Sequence, residues 1–260
     1  MRADVYLSTF GHTESRKKAQ DLISAGAVRI DGETVKKSSA LINELVPHTV
    51  ELEQIFKYVS RGGMKLEAAL DAFGISVNRL KAVDIGASTG GFTDCLLKRG
   101  ASSVYAVDSG VGQLHPDLRA DKRVRCIEHF NARELNDEIT EGQCDIAVAD
   151  VSFISQTYII EGIASVLKGG GIFVSLIKPQ FEAGRSALSK NGIVVSPAYR
   201  FLAVKRVVSF ACEHGFDCIG LIRSPIEGGD GNKEYLACFV KKDCIKPKVD
   251  DKIIKRITAI

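Results

Sequence analysis

The stretch Lys81-Ala82-Val83-Asp84-Ile85-Gly86-Ala87-Ser88-Thr89-Gly90-Gly91-Phe92-Thr93-Asp94 constrains the fold of this chain more than any other. Ala82, Val83 and Ile85 form an apolar run, as in a strand buried on both faces. A Gly-rich turn over residues 86–91 interrupts it, and residues 92–99 then take helical spacing, with Phe92, Cys95, Leu96 and Leu97 apolar. A strand, a tight small-residue turn and a helix start make the nucleotide-binding corner of a doubly wound sheet. Small residues let backbone approach a ligand, and the helix start leaves N–H groups free to bind it. About twenty residues on, the apolar run Ser103-Val104-Tyr105-Ala106-Val107 ends in Asp108, where a carboxylate can accept hydrogen bonds from a ribose diol.

The glycine spacing separates ligands. A dinucleotide fingerprint is G-x-G-x-x-G, whose second glycine lets backbone pack on a pyrophosphate. Here the run is G-x-x-x-G-G, with Ser88 at the place of that second glycine. The sequence Val-Asp-Ile-Gly-Ala-Ser-Thr-Gly-Gly-Phe-Thr resembles the first motif of class I methyltransferases, whose cofactor S-adenosylmethionine has a ribose and an adenine but no pyrophosphate. The resemblance implies cofactor contacts at Asp84, Gly86, Ala87, Ser88, Thr89, Gly90, Gly91, Phe92, Asp108 and Asp150, with Asn131 and Ala132 on the adenine side. The fold it implies is α/β: a Rossmann-like, mostly parallel sheet with an antiparallel last strand.

The totals exclude several classes. A hydrophobic fraction of 45% with 26% charged residues is that of a soluble globular protein. No apolar run approaches the roughly 18–20 residues that span a bilayer, and residues 1–6 lack the apolar core of a secretory signal. A net charge of +3 does not by itself argue for nucleic acid. The seven cysteines never fall as C-x-x-C, which suits buried thiols in a reducing cytoplasm better than disulfides or zinc.

Residues 1–53 read as a small α+β unit. Residues 4–10 are expected as a helix ending at Gly11, and residues 14–24 as a second, capped by Thr13 or Ser15. A strand over 27–30, an Asp31-Gly32 hairpin turn and a return strand over 34–36 follow, with a further strand over 50–52. The pattern Ser-Arg-x-x-Ala-x-x-Leu-Ile-x-x-Gly-x-Val-x-Ile-x-Gly across residues 15–32 resembles the S4 RNA-binding domain. That resemblance implies structured RNA as partner and assigns phosphate contacts to Arg2, Arg16, Lys17, Lys18 and Arg29, with Arg61 beyond the unit. Residues 1–60 hold eight basic and eight acidic side chains, so any RNA face has to arise by sorting charge rather than by excess.

A linker is expected over 54–60, a catalytic domain over 61–245 and a charged tail over 246–260. Within the domain, a helix over 64–73 precedes the first strand and carries Lys65 toward the cofactor pocket. Strands are expected over 124–127, over 144–149 ending at Asp150, and over 172–177 ending at Lys178-Pro179. Between the last two lies a helix over 154–167 that stops at three glycines, 169–171. Residues 181–195, polar and Gly-containing, are expected as a lid, followed by a helix over 197–214 and strands over 217–224 and 235–241.

Lys65, Asp150, Lys178 and Glu234 thus fall at element ends that a doubly wound sheet brings to one rim. In this order they resemble the tetrad of FtsJ-like RNA ribose 2′-O-methyltransferases. The flanking runs Arg-Gly-Gly-Met-Lys-Leu, Asp-Val-Ser-Phe-Ile-Ser, Ile-Lys-Pro-Gln-Phe-Glu and Glu-Gly-Gly-Asp-Gly-Asn-Lys-Glu-Tyr-Leu resemble the TlyA (haemolysin-A type) family across nearly the whole chain. A ribose hydroxyl is a poor nucleophile until its proton leaves. Alignment with the donor contributes about 7–11 kcal/mol of barrier, and a positioned base about 10²–10⁴-fold in rate. A lysine base needs desolvation or neighbouring positive charge to shed its proton; Lys65 and the sulfonium would supply that charge to Lys178, while Asp150, which can orient it, acts in the opposite sense. No metal is required.

Three other readings fit the sequence less well. Residues 150–153 stand where nucleobase amino-methyltransferases carry Asp/Asn-Pro-Pro-aromatic; the absent prolines and the presence of Lys178 count against that chemistry. An RNA-binding module on an inactive fold conflicts with an intact Gly-rich turn, Asp108 and tetrad. A membrane-lytic protein conflicts with the absence of any spanning run. The expectation is a cytoplasmic, S-adenosylmethionine-dependent ribose 2′-O-methyltransferase of ribosomal RNA.

Overall fold

The computed structural model describes residues 1–13, 15–52, 57–228, 231–242 and 248–259. The chain divides into two compact units, Met1–Lys57 and Tyr58–Ile260.

In the first unit, helices α1 (Ala3–Thr9) and α2 (Arg16–Ser24) precede strands β1 (Val28–Ile30), β2 (Glu33–Thr34) and β3 (Val50–Leu52). The strands form an antiparallel sheet in the order β2-β1-β3. Ser15 caps α2, its Oγ accepting the Lys18 N–H. Of the two caps the sequence allowed, Ser15 takes the role; Glu14 lies outside the described residues. Asp31 and Gly32 both hold positive φ, the geometry of the expected two-residue turn. Ala19, Leu22 and Ile23 of α2 bury against Leu7, Val28 and Ile30.

The second unit is a three-layer α/β structure. In chain order its elements are α3 (Gly62–Phe73), β4 (Lys81–Ile85), α4 (Gly91–Lys98), β5 (Ser103–Val107), α5 (Pro116–Ala120), β6 (Val124–Ile127), β7 (Cys144–Ala149), α6 (Ile160–Val166), β8 (Leu167–Ile177), α7 (Pro179–Glu182), α8 (Pro197–Glu213), β9 (Phe216–Arg223), β10 (Tyr235–Lys241) and α9 (Asp251–Thr258). Among the described residues seven strands form one sheet, ordered β6-β5-β4-β7-β8-β10-β9. Strands β4 to β8 pair in parallel, and β10 runs antiparallel between β8 and β9. The order reverses at β4, which places a crevice at the carboxyl edge between β4 and β7. Alternate residues bury on opposite faces: Val83, Ile85, Ala147 and Phe173 against α6, α8 and α9, and Ala82, Val104, Ile146 and Val174 against α3, α4 and α5. Among the described residues no helix is long and apolar enough to cross a membrane.

Four expectations are corrected. The helix expected over 154–167 is a 3₁₀ turn, Gln156–Tyr158, followed by the shorter α6. Strand β8 begins at Leu167 and runs through all three glycines, because Leu167 pairs with Cys144 and the register shifts before Ile146 meets Ile172. A Lys168–Asp145 ion pair and the Lys241 ammonium, donating to the Ala164 and Leu167 carbonyls at 2.6 Å each, hold this extension. The segment expected as a lid is anchored: Glu182, Ala187 and Val194 are buried, and Asn232 bonds both Val194 N–H and Gly192 O. The stretch expected as a charged tail carries α9, whose Ile254 and Thr258 are buried, with Arg200 Nε donating to Thr258 O at 3.2 Å. Residues 243–247, and 54–56 of the expected linker, lie outside the described residues; Tyr58, also expected in the linker, is buried within the second unit.

Helix α3 packs on β9 through Phe73 and Gly220, where an added Cβ would lie 2.5 Å from the ring. Gly220→Ala is therefore expected to destabilise the second unit by about 1–3 kcal/mol. A lower urea midpoint at unchanged m-value is the expected reading; an unaltered midpoint would show that the ring moves freely.

Candidate active site

Three carboxyl-edge loops build the crevice. Gly86 N–H and Ala87 N–H both donate to Val107 O, so the turn after β4 folds over the end of β5. Gly86 has φ +80°, and a Cβ there would lie 2.8 Å from Asp150 O, so only glycine lets this turn lie against the β7 loop. Ser88 also adopts positive φ, and its N–H donates to Asp108 Oδ2 at 2.8 Å. Gly110 N–H donates to Asp108 Oδ1 at 2.7 Å. The Asp108 carboxylate is thus fixed between two turns at the end of β5. Phe130 N–H donates to Asp108 O, which sets Asn131 and Ala132 beside it; Asn131 caps a 3₁₀ turn through Arg133 N–H.

Not every cofactor-side residue faces the crevice. Asp84 and Phe92 are buried behind the turn, and Thr89 is exposed on it. Asp84 accepts the Thr93 hydroxyl at 2.7 Å and the Thr93 N–H, capping α4 from the neighbouring strand. Burial raises its carboxyl to about 7, with the charges of Asp150 and Asp108 adding to the shift. The turn itself, Gly86 to Gly91, carries no basic side chain for a pyrophosphate.

Next to the turn, the four tetrad side chains come together as two ion pairs. Lys178 Nζ lies 2.6 Å from Asp150 Oδ1 and donates to Ser152 Oγ at 2.7 Å. Lys65 Nζ donates to Glu234 Oε2 at 2.5 Å, both side chains being almost wholly buried. The register explains the convergence. Tyr235 pairs with Ile177, so Glu234 and Lys178 face each other one step beyond the ladder. A Cβ on Gly62 would lie 3.8 Å from Asp150 Oδ2, so the helix that carries Lys65 begins against Asp150. Burial of each charge is tolerable because its partner is in place.

Three further residues support this rim and were not singled out from sequence. Ser152 holds the Lys178 ammonium. Glu182, buried, accepts from Ser155 Oγ at 2.5 Å and Gln156 N–H at 2.8 Å, tying the loop after Asp150 to the helix after Lys178. Phe153 is 92% exposed at φ +64°, its ring 5.2 Å from that of Phe181. Ser152, Phe153 and Glu182 lie inside the Asp-Val-Ser-Phe and Lys-Pro-Gln-Phe-Glu runs, which was the only sequence signal.

Residues 58–241 match the family model of FtsJ-like methyltransferases, and residues 1–44 match that of the S4 domain. The chain belongs to the FtsJ-like methyltransferase family. Among curated relatives, this FtsJ-like chain is 47% identical to Hemolysin A of Brachyspira hyodysenteriae, over 92% of its own length and 100% of the relative's. It is 42% identical to the 16S/23S rRNA (cytidine-2'-O)-methyltransferase TlyA of Mycobacterium tuberculosis, over 90% of this chain and 87% of that one. A solved structure described as a hemolysin of Streptococcus thermophilus superposes with a TM-score of 0.80 at 42% identity, covering 100% of this chain and 94% of the other.

The raised Asp84 carboxyl has a sign that can be measured. Between its usual 3.8 and about 7 the folded state holds a proton that the unfolded state has lost, so its contribution falls as pH rises through that window. Asp84→Asn keeps an acceptor for Thr93 and removes this loss. Relative to the parent, the variant is expected to gain stability progressively from pH 4 to 7 and to level off above, by up to a few kcal/mol. Urea unfolding at pH 4.5 and 8 reads the difference; parallel pH profiles would refute a neutral buried carboxyl.

Proposed function

We propose that this chain uses S-adenosylmethionine to methylate a ribose 2′-hydroxyl of ribosomal RNA. The observation that carries the reading is the pairing of Lys178 with Asp150 and of Lys65 with Glu234 on one rim beside the Gly86-to-Gly91 turn. The residues fit the cofactor: Asp108 is fixed where it can accept from a ribose diol, and the turn carries no basic side chain of the kind an anionic dinucleotide calls for. Gly86, Ala87, Ser88 and Asp108 would hold it, with Asn131 and Ala132 on the adenine side. Its sulfonium supplies an activated methyl group.

The chain's own residues supply what remains. Lys178, oriented by Asp150 and Ser152, takes the proton of the attacking hydroxyl in its neutral form, after its ammonium has released one proton to solvent. Lys65 and Glu234 fix each other and position the ribose. Phe153 is a large side chain in the left-handed region, fully presented to solvent, and such a conformation persists only where the surroundings hold it. Its ring, backed by Phe181, offers a stacking face for the acceptor's base. The S4 domain recruits structured RNA through Arg2, Arg16, Lys17, Lys18 and Arg29. The similarity to a relative named for cytidine methylation makes a cytidine ribose the first acceptor to test. A ribosomal substrate would be met in the cytoplasm, which is the location this reading implies.

Purified ribosomal subunits incubated with methyl-labelled cofactor should acquire label at a ribose, mapped by resistance of the adjacent phosphodiester to alkaline hydrolysis. Lys178→Ala should abolish transfer while cofactor affinity, titrated directly, stays nearly unchanged; full activity would remove the base assignment. Phe153→Ala should weaken RNA binding or raise KM by about tenfold, the worth of one base stack, with cofactor affinity unaltered.

A further inference from the structure

The first unit presents an arrangement that simple charge counting would misread. Asp4 is wholly buried, yet its carboxylate meets two arginines whose side chains remain about half exposed, Arg2 at 46% and Arg16 at 57%. Arg2 forks onto it, Nε to Oδ1 at 3.0 Å and Nη2 to Oδ2 at 3.3 Å. Arg16 Nη2 reaches Oδ2 at 3.1 Å, Gln20 Nε2 reaches Oδ2 at 2.7 Å, and Val5 N–H reaches Oδ1 at 3.1 Å. Five donors occupy the two oxygens, so Asp4 has no acceptor capacity left for any outside group. Its contacts, Arg2 foremost, hold the carboxyl well below the usual range, and it stays charged throughout the neutral region.

Each guanidinium carries five N–H donors, of which Arg2 spends two on Asp4 and Arg16 one. Three N–H groups of Arg2 and four of Arg16 are left beyond those given to Asp4, on side chains that are about half exposed. Two like charges drawn to one anion leave a local net charge of +1, which a second anion would balance. The base of the cluster is rigid. Ala3 N–H donates to Ala40 O at 2.7 Å and Asp4 N–H to Ser38 O at 3.1 Å, while Ser15 caps the helix that begins at Arg16. Lys36 and Lys37, both exposed, immediately precede Ser38 on the paired segment.

We propose that Asp4 is a positioning residue for RNA: it holds Arg2 and Arg16 side by side as a preformed fork for a backbone phosphate of structured RNA. This rests on the reading of the S4 domain as the RNA-recruiting unit. Planar guanidinium groups take phosphate oxygens bidentately, and holding them in place before binding removes the cost of ordering two long side chains. The consequence is opposite in sign to plain electrostatics. Removing a negative charge from an RNA-binding face should strengthen binding; removing this one should weaken it, because the fork is released.

The test uses the full chain and an end-labelled transcribed 16S ribosomal RNA, with single-stranded polyuridine of matched length as the comparison, across a salt series. Asp4→Asn is expected to weaken binding to the folded RNA about tenfold, the worth of one charge-assisted hydrogen bond, and to leave polyuridine binding unchanged. A loss of fold alone would lower both. Unchanged or tighter binding to the folded RNA by a variant that melts cooperatively overturns the proposal. Should Asp4→Asn fail to fold, Arg16→Lys decides: it keeps the exposed charge and loses the fork. It is expected to match Arg16→Ala on the folded RNA, and parental affinity overturns the proposal. The double variant Arg2→Ala with Arg16→Ala separates the two readings. If it binds folded RNA like the parent, the S4 domain does not recruit RNA through these residues; if it binds weakly while Asp4→Asn or Arg16→Lys binds normally, only the positioning role of Asp4 falls.

Discussion

A lysine and a glutamate 169 residues apart in sequence meet at 2.5 Å inside the second unit, and the rest of the rim is arranged around that contact. Neither charge is tolerable there without the other, because an unpaired ion in this environment costs several kcal/mol. The pair joins the first turn of α3 to the residue just before β10. With α3 fixed, Gly62 comes against Asp150; with β10 fixed, Glu234 stands across from Lys178. The second ion pair thus lies beside the first, at the ends of the adjacent strands β7 and β8.

Glycine works at this site by exclusion of side-chain atoms rather than by looseness. Gly91 would place a Cβ 2.2 Å from Ser60 Oγ and 2.9 Å from Gly63 N, and Gly63 one 2.3 Å from the Tyr58 ring. The turn after β4, the start of α3 and the residues just before it are packed backbone to backbone. The crevice is shaped by contacts that a single methyl group would prevent, with Asp84 bracing α4 from below.

The parts of the site legible in the sequence were those whose signal is local. A buried strand, a small-residue turn and an acid at the end of the next strand can be read from spacing, as can Asp31-Gly32 in the first unit. The expected topology brings Lys65, Asp150, Lys178 and Glu234 to one rim, but nothing in their spacing states that they pair as Lys65 with Glu234 and Lys178 with Asp150. What was illegible depends on partners far along the chain. Three consecutive glycines signal a break, yet β8 crosses them because Cys144 and Lys241 supply bonds from elsewhere. Residues 251–258 read as charged, but Ile254 and Thr258 recur at helical spacing and find α8 to bury against. Glu182 looked like part of a polar loop, and only the fold shows the Ser155 hydroxyl waiting for it.

Strand β10 lies between β8 and β9, so the sheet is closed by a segment made after both of its neighbours. A nascent chain that has emerged only through β9 has an open hydrogen-bonding edge on β8 and lacks the carboxylate that Lys65 pairs with. The rim then cannot mature piece by piece as translation proceeds. Its completion coincides with insertion of the final strand, which brings Glu234 to Lys65.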